Sequence, residues 1–262
     1  MKRRQFLTGS IAAPMLAAGV PSQSAGDKKR EYYALRRYHL QNGPQHKLTE
    51  SFLAEALVPG LNRLGISPVG VFSISIGPES PAFYVLIPST SAETLAAIDF
   101  RLEHDAEYTK AGEAFLKAPD KQPAYVRVES SLMLAFEGWP KLTVPAATAR
   151  HGKRMFELRI YESPSDQDHR RKVEMFNSGE FAAFEKAGFW PVFFGDTVIG
   201  PRMPNLTYMI GFEDLTARDK MWTAFGSSEE WKKLSGSPRY NFEEIVSSIT
   251  NVILTPASCS QV

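Results

Sequence analysis

The chain has one cysteine in 262 residues, Cys259. A lone cysteine excludes an intrachain disulfide and a thiolate metal cluster within one chain. Its place close to the C-terminus reads as a bystander rather than a nucleophile. Histidine is scarce too. There are five, with no HxxxH or HExxH spacing and no cluster, so no metal is expected. An excess of either charge is also missing: 30 Lys and Arg face 29 Asp and Glu, a formal +1. With no basic stripe and no RNA-binding signature, nothing points to nucleic acid as a partner. What remains is ordinary globular composition, 43% hydrophobic and 23% charged, enough for one large domain or two small ones.

Residues 1–26 read as an export signal. Lys2-Arg3-Arg4 is a positive start, and Gln5-Phe6-Leu7 completes an R-R-x-F-L pattern. Ile11 to Val20 is a mildly apolar stretch, too short to anchor in a bilayer. Small residues over Ser22–Ala25 suit cleavage after Ser24 or Ala25. The adjacent arginines followed by Phe-Leu resemble a twin-arginine signal, the alternative being an ordinary secretory signal with a chance Arg pair. The resemblance implies a bacterial protein exported already folded, periplasmic or secreted. Without Lys2, Arg3 and Arg4 the formal charge falls from +1 to −2, so no electrostatic case for membrane binding remains.

The rest of the chain is organised by a repeat. Met155–Glu162, MFELRIYE, alternates as a strand does, and Tyr33–Tyr38 echoes it at an offset of 123 residues. Leu158, Arg159 and Tyr161 match Leu35, Arg36 and Tyr38. His169, Gly188, Pro191 and Ile199-Gly200-Pro201 match His46, Gly65, Pro68 and Ile76-Gly77-Pro78 without a gap. A register kept this long argues for two copies of one unit. Each copy reads β-α-β-β-α-β, over residues 31–138 and 154–258, with an Ala-, Pro- and Thr-rich linker at 139–153. Thr90-Ser91-Ala92-Glu93 reads as a capping box opening a helix of the first copy. Asp214 and Ser227-Ser228-Glu229-Glu230 are the matching start signals in the second.

Such a unit makes a four-stranded antiparallel sheet with both helices on one face. The other face needs a cover, and two units can cover each other. The expected fold is therefore α+β: two tandem ferredoxin-like units forming a pseudo-twofold, eight-stranded barrel with helices outside. On the first strands, Leu158 and Ile160 are expected under the helices. Arg159 and Tyr161, like Arg36 and Tyr38, are expected between the sheets, with Glu157 or Glu129 as ion partners.

Phe156-Glu157-Leu158-Arg159-Ile160-Tyr161 resembles the opening strand of NIPSNAP domains. Phe212-Glu213-Asp214-Leu215 through Arg218-Asp219-Lys220-Met221-Trp222, then Ser228 to Leu234, resembles their later helical motif, and Asn251 to Gln261 resembles their ending. The second copy is the closer match. The first departs, with Asp99 where Trp222 stands and Leu95 where Arg218 stands. The resemblance implies the dimeric α+β barrel fold and supplies no reaction.

The candidate ligand-binding residues are Arg36, Tyr38, His39, Arg159, Tyr161, His46 and His169. An arginine holds a carboxylate and a tyrosine donates a hydrogen bond or proton, so the Arg and Tyr pairs suit a polar pocket; a structural ion-pair network is the alternative. His39 is placed at the barrel mouth with no acidic partner identifiable from the sequence. His46 and His169 flank either a symmetric site or plain helix starts, His169 lying within the charged run Asp168–Lys172. The aromatic second copy, including Trp190, Trp222 and Trp231, suits a core or the stacking of a flat ligand. Haem is a candidate no motif supports, so the cofactor stays unknown. Two functions remain open: a protein binding a small molecule, a second copy or another partner, or a metal-independent enzyme, oxygenase- or isomerase-like, acting in the barrel cleft.

Overall fold

The computed structural model describes residues 29–262; the export segment expected over residues 1–26 lies outside them. The first unit runs β1 (Tyr32–His39), α1 (Pro44–Phe52), α2 (Val58–Arg63), β2 (Gly70–Ile76) and β3 (Ala82–Ser89). Four short helices follow, α3 (Ala92–Ala96), α4 (Ile98–Leu102), α5 (Ala106–Ala111) and α6 (Glu113–Leu116), then β4 (Arg127–Ala135). One helical turn, α7 (Ala146–Ala149), lies in the link. The second unit runs β5 (Met155–Glu162), α8 (Asp166–Met175), α9 (Phe181–Lys186), β6 (Trp190–Ile199), β7 (Asn205–Phe212), α10 (Leu215–Ser227), α11 (Glu229–Ser235), α12 (Phe242–Ile245) and β8 (Ser248–Pro256). Among the described residues no helix is long and apolar enough to cross a membrane.

The eight strands close into one antiparallel barrel in the order β1-β3-β2-β8-β5-β7-β6-β4. Each half keeps the ferredoxin-like order, β4-β1-β3-β2 and β8-β5-β7-β6, and the halves meet at β2–β8 and β4–β6. Each seam carries a register shift, at Ile74/Ile76 and at Leu132/Met133. Such bulges bend strands and help two sheets curl into a closed barrel. The 123-residue offset survives in three dimensions. It carries β1 onto β5 and β3 onto β7 end for end, and the π-helical segment Leu53–Leu57 onto its counterpart Phe176–Glu180. β4 and β8 slip by two residues, and β6 begins three residues before the image of β2.

The start signals work, with both capping boxes shifted by one residue so that Ser228 rather than Ser227 caps α11. Asp214 accepts from the Ala217 amide and Ser228 from the Trp231 amide. In the first unit Ser91, not Thr90, caps α3 by accepting from Thr94.

The strand faces are reversed from expectation. Leu35 and Leu158 belong to the apolar cluster that fills the barrel, with Tyr33, Phe72, Phe156 and Phe193. Tyr38 and Tyr161 belong instead to the two clusters beneath the helices. Side chains two apart share a face, so Arg36 and Arg159 go with them, and Ile160 turns to the barrel side. The apolar cluster fills the middle of the barrel, and only its mouth holds charged groups such as Arg37 and Glu79, so Arg36 and Arg159 turn to the helix side. The helix layer offers partners for a guanidinium.

Candidate functional site

In the second unit β5 aims Glu157, Arg159 and Tyr161 at α10. Glu157 is fully buried and accepts four hydrogen bonds: from Arg159 Nη1 at 2.7 Å, Arg218 Nε and Nη2 at 2.7 and 2.9 Å, and Trp222 Nε1 at 3.0 Å. Burial opposes its charge. The Arg218 hydrogen bonds, the Arg159 charge and the indole N–H outweigh that, and its pKa is held below the usual carboxylate range. Arg159 donates on to Tyr161 Oη at 2.9 and 3.1 Å, and Tyr161 shares a 2.9 Å hydrogen bond with Tyr208. The Trp222 ring covers the Arg159 guanidinium at 4.5 Å. Of the two expected partners for Arg159, Glu157 is the one; Glu129 pairs with Arg127 and His39.

Beside this network lies a second buried pair. Lys172 Nζ and Glu180 Oε2 are 2.6 Å apart, both inaccessible to water. Phe176, Phe242, Tyr161 and Trp231 surround the ammonium at 4.4–5.7 Å. Burial pushes Lys172 down and Glu180 up, and their attraction opposes both shifts. The π-helical Phe176–Glu180 segment, with Gly179 at φ 141°, carries Glu180 to the pair.

The matched positions of the first unit are empty of these groups. Ala34 stands for Glu157, Leu95 for Arg218, Asp99 for Trp222, Val85 for Tyr208, Thr49 for Lys172 and Leu57 for Glu180. Only Arg36 and Tyr38 are kept. A cleft of about 770 Å³ opens over them, between β1 and helices α4 to α6. Tyr108, Tyr125, Phe52 and Phe115 line it, and Phe52 stacks on Phe115 with ring centroids 3.8 Å apart. Arg36 sits at its base, its side chain 12% exposed, and donates to Asp99 at 2.8 and 3.2 Å. Burial disfavours the Arg36 charge, but Tyr38 and Asp99 more than compensate, so the guanidinium stays firmly protonated. Burial likewise raises the Tyr38 and Tyr108 pKa values, leaving neutral phenols that donate hydrogen bonds. A fixed cation beside neutral phenols and aromatic rings, in a cleft rimmed by Glu103, Lys110, Glu113 and Lys117, can hold an anion or a developing oxyanion. Among the described residues no histidine lines this cleft, and no group of His, Cys, Asp and Glu is arranged to hold a metal ion.

The histidines do not converge. His39 is buried at the barrel mouth, and its missing partners prove to be Glu129, 3.1 Å from Nε2, and Glu79, 3.5 Å from Nδ1. That mouth is a separate cavity of about 220 Å³, lined by Arg37, Glu79, Glu129 and Arg202 among others. His46 lies on Phe83 at the surface, 4.7 Å between ring centroids. His169, despite its charged neighbours in sequence, is buried and paired with Asp196 at 2.6 Å. The run Asp168–Lys172 thus hides two residues. The spacing His169, Lys172, Phe176 along one helix face was the signal available for that.

Solved structures share this fold. A candidate monooxygenase from Fusobacterium nucleatum is 6% identical, with a TM-score of 0.58, covering 87% of this chain and 93% of its own. Another from Lactobacillus acidophilus is 8% identical, with a TM-score of 0.56, covering 87% and 95%. A NIPSNAP-like domain protein from Burkholderia xenovorans is 23% identical over 43% of this chain and 92% of its own, with a TM-score of 0.38. No curated protein matches the sequence. The model of the NIPSNAP family matches residues 156–261. The NIPSNAP likeness of this chain is therefore carried by its second half, the half whose sequence resembles that family more closely.

Proposed function

We propose that the first-unit cleft binds a small organic molecule, with Arg36 as its charged anchor and Tyr38, Tyr108 and Tyr125 as its polar and aromatic walls. The observation that carries this reading is the inequality of the halves. At matched positions one unit fills the space beside its arginine with Trp222 and a buried carboxylate, while the other leaves about 770 Å³ open. That volume is in the range of small-molecule sites. The first unit is on this reading a diverged NIPSNAP-type copy, and the whole an exported, periplasmic or secreted protein. A homo-oligomer would use the outer surface, since both seams of the barrel close within one chain.

The test is native mass spectrometry and an absorption spectrum of protein exported from a bacterial host by its own signal. A bound small molecule that is lost in a cleft-filling Asp99→Trp variant supports the reading. An apo mass, together with no shift of cleft tyrosine resonances across a small-molecule fragment panel, refutes it. Export is tested by replacing Arg3 and Arg4 with lysine, which is expected to leave the protein in the cytoplasm.

A second reading, metal-independent oxygenase- or isomerase-like catalysis, is favoured by the oxyanion-holding set of Arg36 and the neutral phenols. Two proteins of similar fold are named as candidate monooxygenases, so dioxygen uptake on adding the captured ligand is the measurement of choice. Neither uptake nor isomerisation of the ligand would leave a binding protein.

A further inference from the structure

Two arginines at matched positions are neutralised in opposite ways. Arg159 is held by Glu157, which is fully buried, fixed by Arg218 and Trp222, and sealed beneath the Trp222 ring. That carboxylate cannot leave without exposing a buried charge. In the first unit the buried acceptor is gone, because Ala34 occupies the Glu157 position. Arg36 is as enclosed as Arg159, at 12% against 11% side-chain exposure, so it still needs a counter-charge. It takes it from Asp99 on α4, whose side chain is 66% exposed and stands at the cleft wall. The Asp99 carboxylate itself is readily rehydrated, so it can give way at little cost once another carboxylate takes its place on the enclosed Arg36.

We infer that Asp99 is a displaceable stand-in for the carboxylate of the cleft's ligand. The first unit therefore selects carboxylate-bearing molecules with an aromatic or otherwise apolar body. This rests on the binding reading above and names its ligand class. The Arg36 fork already holds a carboxylate through both terminal nitrogens, the geometry an incoming carboxylate would take over. Among the described residues Arg36 is the one buried cation lining the cleft; Lys110 and Lys117 lie on its exposed rim, and Lys117 is engaged by Glu113. One enclosed charge suits a monoanion better than a phosphate dianion. The body would lie against Phe52, Phe115, Tyr108 and Leu57, with Leu116 and Val128 exposed at the edge. Asp99 would then keep Arg36 paired in the free protein and bias the cleft against neutral molecules. A neutral ligand either leaves the latch closed or opens it without supplying a replacement charge.

The experiment titrates the full chain with benzoate, phenylacetate and 3-phenylpropionate and with their primary amides. Affinity is read by calorimetry and site by the NMR signals of ring-labelled tyrosines. The carboxylates are expected to bind roughly ten- to a hundredfold tighter than the amides, the worth of a charge-assisted hydrogen-bonded pair. Asp99→Asn, at an exposed position that leaves the fold intact, is expected to tighten carboxylates by about fivefold and leave amides unchanged. Glu103→Gln, in the same cleft but away from the Arg36 fork, should have no such effect; equal tightening there would mean simple charge repulsion and overturn the latch. Amides binding as well as carboxylates, or Asp99→Asn changing nothing, would also overturn it while leaving a ligand-binding cleft. Neither class moving the tyrosine signals would remove the binding reading together with the latch.

Discussion

Glu157→Gln tests whether the second unit's network is the rigid element it is taken to be. The substitution keeps the shape of the side chain and removes its charge. An NH2 group then replaces one of the two oxygens that accept from Arg159 and Arg218 at 2.7 Å, and the other becomes a neutral amide oxygen. The losses are unequal. Arg218 is 24% exposed and keeps Asp219 at 3.1 Å, so it can turn to water. Arg159 cannot; it keeps only neutral partners, the Tyr161 hydroxyl and the Trp222 face. Breaking a buried ion pair by removing one partner costs about 3–5 kcal/mol, and the retained neutral contacts put this case near the lower end. For a domain of this size about 3 kcal/mol corresponds to a fall in Tm of roughly 6–12 °C. Thermal and urea unfolding at pH 7 measure it, with Glu113→Gln, which breaks only the exposed pair with Lys117, as the control expected to change little. The sign with pH follows from the depressed Glu157 pKa. Its contribution is present above the unfolded carboxylate value, about 4.3, and is lost as the pH falls through the lower folded value. The gap between wild type and Glu157→Gln must therefore narrow in acid. A Glu157→Gln protein no less stable than Glu113→Gln at pH 7, or a gap that widens in acid, would refute the reasoning.

Lys172→Met alone strands the Glu180 carboxylate and should cost about 3–5 kcal/mol in urea unfolding, whereas Lys172→Met with Glu180→Leu should be neutral or stabilising, because both desolvation penalties go together. The Glu174 carboxyl, on which Arg239 and Tyr240 converge, is held down at about 2, and carbon NMR should find it titrating there; Arg239→Ala should return it to the ordinary range. Because that folded value lies below the unfolded one, whatever stability the pair confers is present above the unfolded carboxylate value and fades as the pH drops towards 2. Asp99→Trp should rebuild over Arg36 the cover that Trp222 gives Arg159, closing the cleft and abolishing ligand binding while circular dichroism stays unchanged.

The barrel was legible because its evidence was periodic. The offset of 123 needed no gap, the strand read over Met155–Glu162 has those bounds as β5, and its echo at Tyr33–Tyr38 lies within β1. The direction of each strand face was not legible. Alternation supplies a period and leaves open which face looks inward, and in a closed barrel beneath helices both faces are buried. Leu158 and Arg159 were therefore assigned to the wrong sides. The deciding information lay about sixty residues on, in Arg218 and Trp222, two side chains of one helix whose donors converge on Glu157. Lys172 was hidden for a related reason. Its neighbours Asp168, Arg170 and Arg171 make the run look solvated, and only helical spacing separates the face that points inward. The cleft left the faintest trace, since it arises from side chains that are missing. Asp99 opposite Trp222 and Leu95 opposite Arg218 were visible as departures. That they open a space above Arg36 follows only once Ala34 is seen at the position of Glu157.

Fusing both halves in one chain is what allows them to differ. A barrel of two identical chains must place the same residues in both helix layers, so it has two plugs or two clefts. Here the barrel interior is packed by Leu35 and Leu158 alike, and both seams pair with the same strand order on either side. That shared core does not depend on what lies over Arg36, because β1 sends Leu35 inward and Arg36 outward on alternate positions. The second unit can then fill its layer with Glu157, Lys172, Glu180 and Trp222 and serve as a rigid wall. The first can leave its layer open, with its arginine balanced by an aspartate that is free to move. Exchanging Ala34 and Asp99 for glutamate and tryptophan asks for the same change at both ends of that argument. If the asymmetry separates a structural half from a binding half, the double variant should gain a sealed ion pair and lose the cleft, with β1 still in register with β3 and β4.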